Sequence, residues 1–143
     1  VKPALVLALS LLWVAPAQAD VDFALRLASA RTGVPRRLLH SVAWVESRLN
    51  PAAVSPRGAR GLMQLMPVIL QRYHVRDPFD ARQNALAGAQ LLRHNHRAFQ
   101  TWPRALAAFN WGSGNVARTP RAQWPQSVRR YVRQVCRRWV CGS

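Results

Sequence analysis

Glu46 is the first residue whose type and setting suggest chemistry. The 143-residue sequence holds five acidic side chains, Asp20, Asp22, Asp77, Asp80 and Glu46, against 21 Lys and Arg, of which Lys2 is the one lysine. Helical spacing around position 46 puts Val42, Ala43, Leu49 and Asn50 three and four residues away, the positions that are neighbours on a helix surface. The one glutamate of an arginine-rich chain therefore has no basic partner on its own helix. A carboxyl among apolar groups is disfavoured in its charged form, which raises its pKa towards the range of a general acid. The competing reading is a glutamate paired with a distant arginine. The aspartates offer less: Asp20 and Asp22 belong to an N-terminal tail, and Asp77 and Asp80 flank Pro78 as turn and cap residues. So few carboxylates exclude a two-metal centre or an EF-hand. His94 and His96 are two apart and face different sides of a helix, while His40 and His74 are isolated. No metal and no cofactor is expected.

Further polar residues recur in short runs around this glutamate. Glu46-Ser47 is followed by Gly61-Leu62-Met63-Gln64 and then by Ala108-Phe109-Asn110-Trp111-Gly112. In order and spacing these runs resemble the Glu-Ser, Gly-Leu-Met-Gln and Ala-Tyr-Asn motifs of the Slt-type lytic transglycosylases. The resemblance extends from about Phe23 to Val135. It implies a single lysozyme-like helical domain with a substrate cleft, and cleavage of the MurNAc–GlcNAc β-1,4 bond of peptidoglycan without added water. Two positions depart from the pattern. Phe109 lacks the tyrosine hydroxyl, and Ser127-Val128-Arg129-Arg130-Tyr131-Val132 stands where the family has Glu-Thr-Arg-x-Tyr-Val.

The resemblance suits the scarcity of acids. A glycosidase working through two carboxylates needs a second one across the bond, whereas one is enough if the substrate supplies the nucleophile. By resemblance, Glu46 protonates the glycosidic oxygen, the substrate's N-acetyl carbonyl steadies the oxocarbenium-like centre, and Glu46 then takes the C6 hydroxyl proton as a 1,6-anhydro ring closes. Ser47 would orient Glu46 or reach the acetamido group. Met63 and Gln64 would line the cleft, Gln64 offering a sugar amide both donor and acceptor. Phe109 and Asn110 would stand near the substrate, with Asn110 also a candidate cap for the turn before Gly112. Tyr131 is the candidate hydrogen-bond partner of Glu46 or of substrate. Trp102 and Trp111 could stack on sugar faces, although buried packing is the commoner use of Trp.

These residues must be positioned by helices, because no stretch alternates with period two. The patterns predict helices from Asp20, as cap, to Ala30, with Phe23, Leu27 and Ala30 on one face, and from Pro35 to Leu49 with a Leu38, Val42, Val45, Leu49 stripe. A Pro- and Gly-rich loop follows over 51–60, then a short helix over 61–66 and another from Pro67 through Tyr73. Asp80 should cap a long helix over 81–99, with Ala85, Leu86, Ala89 and Leu92 inward. Further helices are expected over 103–110, closed by Gly112-Ser113-Gly114, and over 127–139. The fold class is all-α, in one domain.

The ends and the charge bear on location. Lys2, the apolar run Ala4 to Val14 and Ala17-Gln18-Ala19 read as a signal peptide over 1–19, leaving a catalytic domain over 20–143 in the periplasm. In that oxidising compartment Cys136 and Cys141 are candidates for a short-loop disulfide, with free thiols the alternative. The formal charge is +16, which suits attraction to an anionic envelope. The expected partners are peptidoglycan strands met by a monomer, with a secretion or conjugation complex further out and no nucleic acid. Two rival functions remain open: a goose-type hydrolytic lysozyme, and a catalytically silent basic binding module.

Overall fold

The computed structural model describes residues 16–139. Most of the expected signal segment and Cys141 lie outside these. The described chain forms α1 (Pro16–Thr32), α2 (Arg36–Ser47), α3 (Pro67–Arg72), α4 (Ala81–Phe99), α5 (Trp102–Trp111), α6 (Ser113–Arg118) and α7 (Gln126–Arg138), with one 3-10 turn at Arg121–Gln123. Only isolated bridges, Val54 with Arg60 and Arg60 with Leu65, occur among the described residues, so the all-α expectation is met.

Helix α4 is the central post, with α1 and α5 packed along it and α7 closing against α5 and α2. It forms where the sequence places it because Asp80 accepts from the backbone N–H of Arg82 and Gln83, satisfying two of the free donors of the first turn. Its buried side carries Ala81, Asn84, Ala85, Gly88, Ala89 and Leu92, and Leu86 is only half-buried.

Helix α1 differs from expectation. It begins at Pro16, so Asp20 lies inside the helix and pairs with Arg82 across 3.5 Å instead of capping. The buried face is Val21, Ala24, Leu25 and Ala28, while Phe23 is 45% exposed with the Arg82 guanidinium over its ring. The physical reason is size: alanines on α1 and α4 allow close approach of the two helices, and a phenylalanine in that seam would hold them apart.

Three boundaries also move. Helix α2 stops at Ser47, because Arg48 and Leu49 adopt left-handed backbone with φ of 56° and 63°. Residues 61–66 are turn and bridge, not helix. After α5 the Gly112-Ser113-Gly114 run does not end helical structure: Gly112, at φ 95°, breaks α5 and α6 starts at once, with Asn115 Nδ2 donating to Trp111 O at 2.7 Å.

Candidate active site

The last turn of α2 presents Glu46 to a cleft of about 500 Å³. Its walls are apolar, from Leu65, Met66, Ile69, Leu91 and Phe109, and its polar lining is Glu46, Ser55, Arg57, Gln64 and Asn110. No second carboxylate lines it. Each aspartate is engaged elsewhere: Asp20 with Arg82, Asp77 in accepting from Phe79 N, Asp80 as the α4 cap, and Asp22 beside a separate pocket.

Burial pushes the Glu46 carboxyl up to about 7, against an opposing influence from the Tyr131 hydroxyl. The position of Glu46 in the last turn acts in the same direction as burial, because the negative end of the helix dipole disfavours a carboxylate there. Near neutral pH this group is poised between proton donor and acceptor, the condition for a side chain that must do both. Among the described residues no arginine pairs with it, so the salt-bridged reading is set aside.

Tyr131 reaches the site from the buried face of α7, beside Val128, Val132 and Val135. Its hydroxyl is enclosed and meets no acceptor in ordinary hydrogen-bond geometry. It nonetheless stands near enough to Glu46 for the two to perturb each other: burial first, and then the Glu46 charge, raise the phenol's pKa well above its usual value. Tyr131→Phe removes the influence that lowers Glu46, so the carboxyl should titrate still higher and the basic limb of the activity–pH profile should move up. Profiles of kcat/KM for both proteins check this, and an unmoved limb would show that the groups do not communicate.

The other expected site residues divide. Gln64 lines the cleft, but its Nε2 donates to Ala53 O at 3.1 Å and Gly61 O at 3.0 Å, which leaves the carbonyl oxygen for a ligand and not the donor. Gln64 also sits at φ 49°, a strained setting for a residue with a side chain. Phe109 and Asn110 line the cleft, and Asn115 performs the bond to the α5 end that Asn110 was expected to make. Ser47 donates to Leu62 O at 2.7 Å and Ala43 O at 3.1 Å. It therefore fastens the 61–65 turn to α2. Met63 is a correction: at 0% exposure it packs in the core against Gly88, where any added methyl would overlap its sulfur. Trp102 is likewise outside the cleft, stacked on His96 at 4.0 Å and edge-on to Trp139. Cys136 is a disulfide cysteine.

The residue that sequence reasoning missed is Asn84. It is 0% exposed; its Oδ1 accepts from Met63 N at 2.7 Å, and its Nδ2 donates to Arg60 O and Pro78 O, each at 3.0 Å. One amide thus holds both sides of the turn whose next residue, Gln64, lines the cleft. A polar residue on the apolar stripe of a long helix was the signal available. Gly61 is needed for the same contact, because a methyl there would overlap Pro78 O and Asn84 Nδ2, and its φ is +79°. Gly58 has open space around it and serves the turn alone.

Comparison with known proteins places this geometry in context. Residues 23–130 match the Transglycosylase SLT domain. The transglycosylase of Enterobacteria phage PRD1 is 36% identical over 108 residues, covering 76% of this chain and 38% of the phage protein. A membrane-bound lytic murein transglycosylase F of Alcanivorax borkumensis is 37% identical over 93 residues, covering 59% of this chain and 20% of its own length. The chain thus spans well under half of each of these relatives. Among solved structures, the 70 kDa soluble lytic transglycosylase of Escherichia coli superposes with a TM-score of 0.69 at 22% identity, over 82% of this chain and 23% of that one. At that identity the likeness concerns the fold.

Proposed function

Because the chain belongs to the Transglycosylase SLT domain family, we propose that it cleaves the MurNAc–GlcNAc β-1,4 bond of peptidoglycan by intramolecular transglycosylation, with Glu46 as both acid and base. The observation that carries this is a single cleft carboxyl with its pKa pushed up to about 7 and no second carboxylate in the lining. Protonated Glu46 gives its proton to the bridging oxygen as the C1–O bond breaks. The acetamido carbonyl of the MurNAc residue stabilises the positive centre at C1. The Glu46 carboxylate then removes the C6 hydroxyl proton while that oxygen bonds to C1, closing the 1,6-anhydro ring and restoring the acid. Apolar walls keep water away from C1 and favour ring closure over hydrolysis.

In this reading Gln64 Oε1 and Asn110 hold sugar hydroxyl or amide groups, Phe109 supports a sugar face, Ser47 fixes the turn that presents Gln64, and Tyr131 positions Glu46. Met63 belongs beneath the site as packing. The chain acts in the periplasm after removal of residues 1–19, as a catalytic domain over 20–143 held near its C-terminus by Cys136 and Cys141. Its work would be local wall opening for a secretion, conjugation or pilus assembly. The names of the relatives, a phage transglycosylase and membrane-bound murein transglycosylases, support a wall substrate. Among the described residues no helix is long and apolar enough to cross a membrane.

Product mass tests the reaction. Digestion of purified peptidoglycan should give muropeptides that end in anhydro-MurNAc, lighter by one water than the reducing ends a hydrolase leaves. Reducing ends alone would favour the lysozyme reading, and no products at all would favour the silent binding module.

A further inference from the structure

A second cavity, of about 660 Å³, opens where α2 meets α1 and α7, and it shares no lining residue with the Glu46 cleft. Arg37 and Glu46 are nine residues apart on α2, which is half a turn around the axis and about 14 Å along it. The cavity is lined by Arg36, Arg37, His40, Arg137 and Arg138, with Asp22 as its one acid. None of these arginines has an ion pair among the described residues, where the one such pair joins Arg82 to Asp20. Arg36 and Arg37 open α2, and that helix start has neither a side-chain cap nor an acidic residue in its first turn, so the positive end of its dipole adds to the guanidinium charges.

A smaller cavity of about 260 Å³ shares Arg137 and Arg138 and is also lined by Trp44 and Arg48. The Arg138 guanidinium lies 4.5 Å from the Trp44 ring centroid, which fixes its direction, and the Trp44 indole N–H is buried without an acceptor in the protein. Four exposed arginines line this one hollow without carboxylates of equal number facing them, and like charges brought to one place repel. Folding would not select such an arrangement for stability, and an anion relieves it.

We propose that this pocket binds a phosphate ester. The Arg36, Arg37, Arg137 and Arg138 forks grip the phosphate oxygens, and Asp22 faces the hydroxyl groups of the organic part. Phosphate suits the site better than carboxylate, because its several charged oxygens can occupy more than one guanidinium fork, whereas a carboxylate satisfies one. The volume exceeds that of a bare anion, so the phosphate carries an organic body, either as a free ester or as a lipid headgroup. The proposal does not depend on what Glu46 does.

The test uses the full chain with two probes: glycerol 3-phosphate by calorimetry, and vesicles of phosphatidylglycerol with phosphatidylcholine, against phosphatidylcholine alone, by sedimentation. Wild type should bind at least one phosphate probe, and which one identifies the source. Arg37→Gln with Arg137→Gln should weaken that binding by about tenfold or more. Arg76→Gln with Arg133→Gln removes the same charge from equally exposed positions that do not line the pocket, and should change affinity by less than about twofold. Arg36→Lys with Arg138→Lys keeps the charge but loses the forks, and should also weaken binding. This second pair decides the matter if the first does not fold. Equal losses from the pocket pair and the control pair, or no binding of either probe by wild type, would overturn the proposal.

Discussion

Glu46→Gln is expected to lower the rate of glycosidic cleavage by at least about 10³-fold, since proton transfer by a positioned group contributes about 10² to 10⁴ and the proposed reaction uses one group for proton transfer in both halves. Gln keeps the size and hydrogen-bonding reach of the side chain, so circular dichroism should show unchanged helicity. Muropeptide mass spectrometry after digestion by both proteins measures the loss, and an active Gln variant would remove Glu46 from the mechanism.

The same substitution has a second, opposite signature in stability. The folded carboxyl titrates at about 7, against an ordinary value of 4.5. Between these pH values the native carboxyl therefore binds more protons than in the unfolded chain, and the contribution of Glu46 to wild-type stability falls as pH rises from about 4.5 to 7. The stabilisation is complete below the lower value and gone above the upper one, a change of roughly 3 kcal/mol. Gln cannot titrate, so urea unfolding of Glu46→Gln should lack this slope. A variant that is inactive yet free of the pH penalty is the behaviour of a strained catalytic group, and not of a structural one.

Asn84→Ala carries the largest expected effect on the fold. It leaves Met63 N and Pro78 O without their partner, while Arg60 O keeps the Leu65 N–H, in a place where Asn84 and Met63 are fully buried. Stranded buried groups cost about 1–3 kcal/mol each, so a total near 4 kcal/mol is expected, a large share of what a domain of this size has. Gly61→Ala should be comparable, because its methyl would overlap the same groups and its positive φ disfavours any side chain. The shift of the urea midpoint for each variant measures this. A loss under about 1 kcal/mol would mean that the turn beside the cleft is held by Ser47 and the Arg60–Leu65 bridge alone. Because Gln64 follows this turn, substrate affinity should fall along with stability.

The apolar setting of Glu46, the α4 start at Asp80 and the helical class were legible because each depends on near neighbours in the chain, whereas Phe109, Asn110 and Tyr131 entered through the motif resemblance alone. A carboxyl flanked by Val42, Ala43 and Leu49 declares an apolar setting at helical spacing, and an Asp before a long periodic stripe declares a cap. The scarcity of acids, visible from composition, also separates a one-carboxyl mechanism from a two-carboxyl one before any coordinates are known.

Tertiary structure decided what depends on distant partners. Phe23 faces outward because an alanine seam between α1 and α4 excludes it, although local periodicity grouped it with Leu27 and Ala30. Met63 is core because the absence of a side chain at Gly88, 25 residues on, opens the space it fills. The donor of Gln64 is taken by Ala53 and Gly61. Asn84 matters only because three backbone groups from two loops converge on it. The four arginines beside Asp22 come from both ends of the domain, and only packing of α7 on α2 brings them together. Local periodicity and residue chemistry determined the helices and the acid. Burial, and the long-range hydrogen bonds and charges that follow from packing, decided how that acid is held and what else the surface can bind.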